Sequence, residues 1–120
     1  MSKFGTSVPF LAEATGAPLF ARMLEEKRAY PMAVGITRQI LPLVKEGGRQ
    51  RTRQMVRRLC HSKRYLLACM ADGAQRFNAD GTPAGEVTEK EKAFAAEARE
   101  RQAAHGTRMK AQKAKPAEAA

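Results

Sequence analysis

Apolar positions recur every three or four residues through most of the chain, which is the spacing of amphipathic helices. Pro18 opens the first such run, because proline is tolerated where a helix amide has no acceptor anyway. Leu19, Phe20, Met23 and Leu24 form its apolar stripe opposite Arg22, Glu25, Glu26 and Lys27, and Pro31 ends it. A second stripe comes from Ile36, Ile40, Leu43 and Val44. Pro42 falls inside that stripe, and an interior proline costs about 3 kcal/mol, so a kink or an early end is predicted there. Gly47-Gly48 closes the segment. The best-defined helix spans Arg49 to Cys60, with Thr52, Met55, Val56 and Leu59 at i, i+3, i+4 and i+7. Another runs from about Lys63 to Ala71, with Ser62 as its N-cap and Gly73 past its end.

After Gly73 the period changes. Arg76-Phe77-Asn78 and Gly85-Glu86-Val87 read as two short strands around a turn at Asp80-Gly81-Thr82-Pro83. Thr88 and Glu91 stand in a capping-box relation and open a last helix through Phe94, Ala95 and Ala98. Beyond Gly106 the Ala-, Lys- and Gln-rich composition predicts a disordered basic tail. The expected fold is therefore mainly α, with about five helices and one short β-hairpin. It divides into an N-terminal helical segment over 1–30, a body over 31–105 and the tail over 106–120.

Length sharpens this picture: 120 residues make about one domain. A full barrel or a doubly wound nucleotide-binding sheet does not fit into so short a chain. Charge changes the picture more. Lys plus Arg number 22 against 12 Asp plus Glu, a formal net charge of +10, and the sequence pI is near 10.2. Such an imbalance points to a polyanionic partner, nucleic acid or an anionic membrane. The excess is concentrated, since Arg49 to Arg64 holds seven basic residues and no acid. Arg49, Arg53 and Arg57 stack at i, i+4 and i+8 on one flank of the apolar stripe, with Arg51 and Arg58 on the other. Like charges at that spacing repel by a few tenths of a kcal/mol per pair, a cost that a bound polyanion removes. Arginine's planar fork grips phosphate with two parallel bonds and packs on bases, so this face is a candidate RNA or DNA contact surface.

Ser62-Lys63-Arg64-Tyr65 adds geometry to charge. The Ser62 hydroxyl, orphan backbone amides and the cations Lys63 and Arg64 meet at one helix start, and such a terminus is a ready phosphate site. Tyr65 lies near the same end, either as a core ring or as a group offered to a nucleotide. Arg76 is isolated among acids; it either pairs with Asp72 or Asp80 or completes the basic surface. Metal and catalytic readings fare worse. Cys60, His61, Cys69 and His105 match no zinc spacing, and neighbouring Cys60 and His61 diverge too far to act as nucleophile and base. Phosphate-loop and dinucleotide fingerprints are absent. No enzyme, metal or cofactor is expected. Two cysteines, no recognisable secretory leader and no apolar run near the ~20 residues needed to span a bilayer predict a cytoplasmic protein that makes no use of a membrane.

Arg53-x3-Arg57, Cys60-His61-Ser62-Lys63-Arg64-Tyr65-Leu66 and the run from Gly73 to Thr88 resemble the ProQ/FinO domain. The resemblance extends from about Pro31 to Phe94, includes Val34-Gly35-Ile36, and rests on Arg-Tyr-Leu together with Gly-x2-Arg-x3-Asp-Gly-x3-Gly. It implies a bacterial RNA chaperone, mainly helical with a small hairpin. Such a protein would bind structured RNA at the base of a 3′ hairpin and its single-stranded tail, and support sense–antisense or small-RNA regulation. By the same resemblance Arg53, Tyr65 and Arg76 would lie on a concave RNA-binding face. Arg49 and Arg57 would extend that face, and Ser62 would fall at a pocket for the RNA 3′ end.

Two other classes remain open on the residues alone. In one, the helix over 49–60 enters a DNA major groove as part of a transcriptional regulator, with Gln50 and Gln54 reading bases. In the other, the basic face binds an acidic protein. A monomer is expected, because no long heptad or surplus apolar face is present.

Overall fold

The computed structural model describes residues 3–113, with side chains up to residue 106. Among the described residues are six helices and a two-stranded hairpin: α1 (Lys3–Thr15), α2 (Pro18–Glu26), α3 (Ile36–Ile40), α4 (Arg49–Cys60), α5 (Lys63–Met70), β1 (Gln75–Phe77), β2 (Pro83–Glu86) and α6 (Glu89–Lys113). Single 3-10 turns at Leu41–Leu43 and Glu46–Gly48 link α3 to α4. The helix beyond the expected five is α1, whose Phe4, Val8, Leu11 and Thr15 are buried against the rest of the bundle. It packs chiefly on α4 and α2, while α5 packs on α6.

Local chemistry sets most of the boundaries. Pro18 is the first residue of α2. That helix stops earlier than Pro31: Lys27 turns left-handed at φ 56°, and its amide donates to Met23 O. Pro42 sits in the 3-10 turn after α3, where the helix interior has already ended. Ser62 caps α5, accepting from the Tyr65 amide at 3.2 Å. The Thr88–Glu91 box closes reciprocally ahead of α6, Thr88 N donating to Glu91 Oε1 at 2.9 Å and Glu91 N to Thr88 Oγ1 at 3.2 Å.

Val8, Leu11, Leu19, Phe20, Met23, Ile40 and Leu59 are fully enclosed in one core. Each such side chain contributes about 1.5–3 kcal/mol when taken from water. Thr52, Met55, Val56 and Leu59 are all buried, as the α4 stripe predicts. Thr52 enters without an orphan hydroxyl, because Oγ1 donates to Gly48 O at 2.9 Å. Three apolar residues expected in core stripes are instead exposed: Leu24 (46%), Leu43 (53%) and Phe94 (65%). Leu24 and Phe94 lie at the edges of their stripes, and Leu43 is turned outward by the 3-10 geometry imposed at Pro42.

The hairpin is antiparallel, with Gln75 opposite Glu86, Arg76 opposite Gly85 and a bulge between Arg76 and Phe77 that sets Phe77 against Pro83. Pro83 thus begins β2 and is not part of the turn. A parallel bridge joins Met32 to Phe77. Phe77 N donates to Pro31 O and Ala33 N to Phe77 O, both at 2.9 Å. The last helix continues through Gly106 to Lys113, so helix replaces the expected tail over that stretch. Ala, Lys and Gln are strong helix formers, and one interior glycine costs only about 1 kcal/mol. The remainder of the expected tail, 114–120, lies outside the described residues.

Candidate nucleic-acid interface

The α4 arginines are where the stripe predicts them. Arg49, Arg51, Arg53, Arg57 and Arg58 are all exposed, because burial of Thr52, Met55, Val56 and Leu59 against α1 turns the rest of the helix to solvent. Among the described residues none of them has an acidic partner; the ion pairs are Arg22–Glu26, Arg76–Glu91 and Lys92–Glu89. Arg51 leans over the Phe10 ring of α1, with 5.9 Å to its centroid. Arg49, Arg53 and Arg57 advance by about 6 Å per four residues, and the next position in that series is His61, the C-cap of α4.

His61 borders two cavities. One, of about 480 Å³, surrounds the start of α5 and is lined by Ser62, Lys63 and Arg64 together with Lys3, Arg99 and His105. Here Ser62 is 3% exposed and its one hydroxyl proton is used, donated to Leu59 O at 2.7 Å, while the oxygen accepts from Tyr65 N. What this helix start offers an anion is therefore its first-turn amides and cations, without the serine hydroxyl. Lys63 is exposed. Arg64 is committed in part, stacking on Phe4 at 4.8 Å and donating to Lys27 O at 3.3 Å. Gln102 Nε2 donates to the His61 carbonyl and ties α6 to the same corner.

The second cavity, about 210 Å³, has Tyr65, Arg76, Glu91, Phe94 and Arg101 in its walls and Cys60, Cys69 and Ala98 among its apolar lining. Tyr65 is a core ring, 7% exposed, that still reaches this wall; its hydroxyl accepts the Met32 amide at 2.9 Å. Burial pushes its phenol far above the ordinary tyrosine range. Arg76 pairs with neither Asp72 nor Asp80. Its guanidinium donates through Nη1 to Met32 O at 2.6 Å and through Nη2 to Glu91 Oε2 at 2.8 Å, and its side chain is only 16% exposed. The first turn of α6 supplies the partner because the hairpin folds Arg76 back beside it. Thr88's amide, then Arg76, hold the Glu91 carboxyl below its usual range.

Burial raises the Cys60 thiol to about 11 and the Cys69 thiol likewise above its ordinary value. Both stay protonated at neutral pH and have little nucleophilic character. Among the described residues no group of three or more His, Cys, Asp or Glu side chains is arranged to hold a metal ion. No helix among them is long and apolar enough to cross a membrane.

The structure thus brings Ser62, Lys63, Arg64, Tyr65 and Arg76 to two cavities on either side of His61, with the arginine row leading to that corner. Sequence reasoning missed His61, Glu91, Phe94 and Arg101 as members of the site. For His61 the signal was present, since it stands four residues after Arg57. For the other three it was not, because only the folded hairpin carries the start of α6 to Tyr65 and Arg76.

No curated protein sequence matches the chain at a significant level. The model of the ProQ/FINO family matches residues 12–114, which covers α2 to α6 and most of the chain, and the protein therefore belongs to this family of non-enzymatic RNA-binding proteins.

Proposed function

We propose that this protein is an RNA chaperone that holds the 3′ end of structured RNA, gripping the base of a hairpin and the single-stranded tail that follows it. The observation that carries this reading is the unpaired row Arg49, Arg53 and Arg57 ending at His61 between the two cavities. The row suits the regularly spaced phosphates of a duplex stem. The amides and cations at the start of α5 suit a phosphate of the tail, and the Tyr65–Arg76 cavity has room for one terminal nucleoside group. Holding one RNA strand by its end leaves its remaining bases free to pair, which is how such a protein supports sense–antisense or small-RNA regulation in the cytoplasm. A monomer suffices for this geometry.

The test is a competition at fixed ionic strength among a hairpin RNA with a 3′ tail, the same hairpin without the tail, and duplex DNA of equal charge. The tailed hairpin should bind most tightly, and its affinity should fall with salt by a log–log slope of about 0.7 to 0.9 per phosphate contacted. Preference for duplex DNA would favour a regulator that uses α4 in the major groove. Affinity that is flat with salt would contradict an electrostatic interface of any kind.

A further inference from the structure

His61 and His105 are the two histidines of the chain, and the fold brings both into the wall of the larger cavity, about 480 Å³, at the α4–α5 corner. Gln102 ties α6 to that corner, its Nε2 donating to the His61 carbonyl. Arg99, Gln102 and His105 follow at i, i+3 and i+6 along one face of α6, so the tie carries His105 over the same space. Lys3 from α1, Lys63 and Arg64 from α5 and Arg99 from α6 complete the charged lining, and no carboxylate stands among these described residues. Both histidines are exposed, so solvent protons reach them. On its other side His61 meets the smaller cavity, where the charged groups are Arg101 and the Arg76–Glu91 pair. The other titratable groups there are Cys60, Tyr65 and Cys69, which burial keeps protonated at neutral pH. Within its own helix, His61 follows Arg57 by one turn and continues the row of Arg49, Arg53 and Arg57.

A wall of permanent cations with two imidazoles among them carries a charge that depends on pH. Imidazole is the side chain that ordinarily gains its positive charge between about pH 8 and about pH 5. Lysine and arginine stay charged throughout that range, and the Glu91 carboxylate, held below its usual range, stays ionised. The phosphodiesters of an RNA strand keep their charge as well, and an imidazolium donates to them. Proton uptake by the histidines and binding of RNA therefore favour each other, and by reciprocity affinity rises as pH falls. From this arrangement we infer that His61 and His105 form a pH-sensitive grip on the RNA tail, tightening on acidification and loosening above neutrality. On protonation His61 lengthens the arginine row by one cation, and His105 adds another from α6. The inference rests on the 3′-end reading above and adds to it the regulation of that site by pH.

The test measures the affinity of the full-length protein for a tailed hairpin between about pH 8 and about pH 6, at a constant ionic strength of about 0.1 M. The hairpin carries hydroxyls at both ends, because a terminal phosphate monoester would itself titrate in this range. Wild-type affinity should rise about fivefold or more on acidification, the scale of one added phosphate contact at that salt. The log–log salt slope should be steeper at the lower pH by about 0.7 to 0.9 for each histidine that protonates against a phosphate. In the double variant His61→Gln, His105→Gln the change over the same range should shrink to about twofold or less, since no imidazole is left to protonate. Thermal melts at each pH check the fold. A wild-type affinity that is flat with pH overturns the inference whether or not the variant folds, and leaves the 3′-end reading standing. A pH dependence that persists undiminished in the folded double variant overturns it as well. Should the double variant not fold, His105→Gln alone, a change at an exposed position, has to reduce the rise, and an undiminished rise overturns the inference. Failure of the wild type to bind the hairpin at any pH removes both.

Discussion

The two halves of the interface are built on opposite principles. Along α4, the cations are exposed and among the described residues none is paired with an acid; only Arg51 also leans over a ring of α1. In the cavity behind Tyr65, the only strongly held cation, Arg76, is bonded to a backbone carbonyl and a carboxylate and is mostly covered. The first arrangement gives long-range attraction that weakens with salt and ignores sequence. The second gives short-range geometry, in which the guanidinium of Arg76 and the carboxylate of Glu91 hold each other in place and the net charge is small. On the proposed function, affinity and discrimination would be carried by different residues, and substitutions should separate them.

The largest effect should come from removing the row. Replacing Arg49, Arg53 and Arg57 together by alanine should lower affinity for a tailed hairpin on the order of 100-fold at low salt, given the usual strength of charged hydrogen bonds. The log–log salt slope should fall by about 2 to 3. Thermal stability should hold or rise slightly, since like charges spaced four apart on a helix no longer repel. A variant that loses stability instead would show that the row serves the fold, and the contrast between the two regions would collapse.

Arg76→Ala should act on both properties at once. It removes a bond to Met32 O and the partner of Glu91, so a stability loss of about 1–3 kcal/mol is expected alongside weaker RNA binding. The salt slope should change little, because this cation is largely neutralised before RNA arrives. Denaturant unfolding and binding at several salt concentrations measure the two parts separately. The sequence alone leaves Arg76 either paired with Asp72 or Asp80 or on the basic surface; its bonds to Met32 and Glu91 tie it to the fold instead.

Ser62→Ala should have the smallest effect on recognition. Its hydroxyl is spent on Tyr65 N and Leu59 O, so about 1 kcal/mol of stability should go, as for other N-caps. Binding by the folded protein should stay within about twofold, because the amides and cations at the start of α5 remain. A much larger loss of affinity at unchanged stability would place the serine among the groups that touch RNA.

How far these regions could be read in advance follows the same division. The α4 face was legible because helical periodicity alone decides which of its side chains are buried, and the Ser62 and Thr88–Glu91 caps were legible because each closes within three residues. The Arg76–Glu91 contact was not, since it spans fifteen residues and joins the hairpin to the first turn of α6. Near the N-terminus the stripe of Phe4, Val8 and Leu11 was hidden by Pro9, which lies inside α1 and argues locally against helix. At the other end, low apolar content suggested that order stops at Gly106, whereas α6 runs to Lys113 through residues of high helix propensity.

The attachment of the hairpin has a consequence for the order in which the molecule assembles. Two strands of three and four residues are too few to be stable alone, and β2 is exposed along its whole length. What holds them is remote in sequence: Phe77 exchanges backbone bonds with Pro31 and Ala33, Ala79 O accepts from Leu19 N, and Gln39 reaches both Asn78 and the Ala79 amide. These closures span roughly forty to sixty residues, and loops of that size form after local helices have paid their own entropy. A nascent or partly unfolded chain can therefore hold α4 and its arginines in helical form while Arg76 and Glu91 are still far apart. Such a chain would attract RNA before it could examine the end of one.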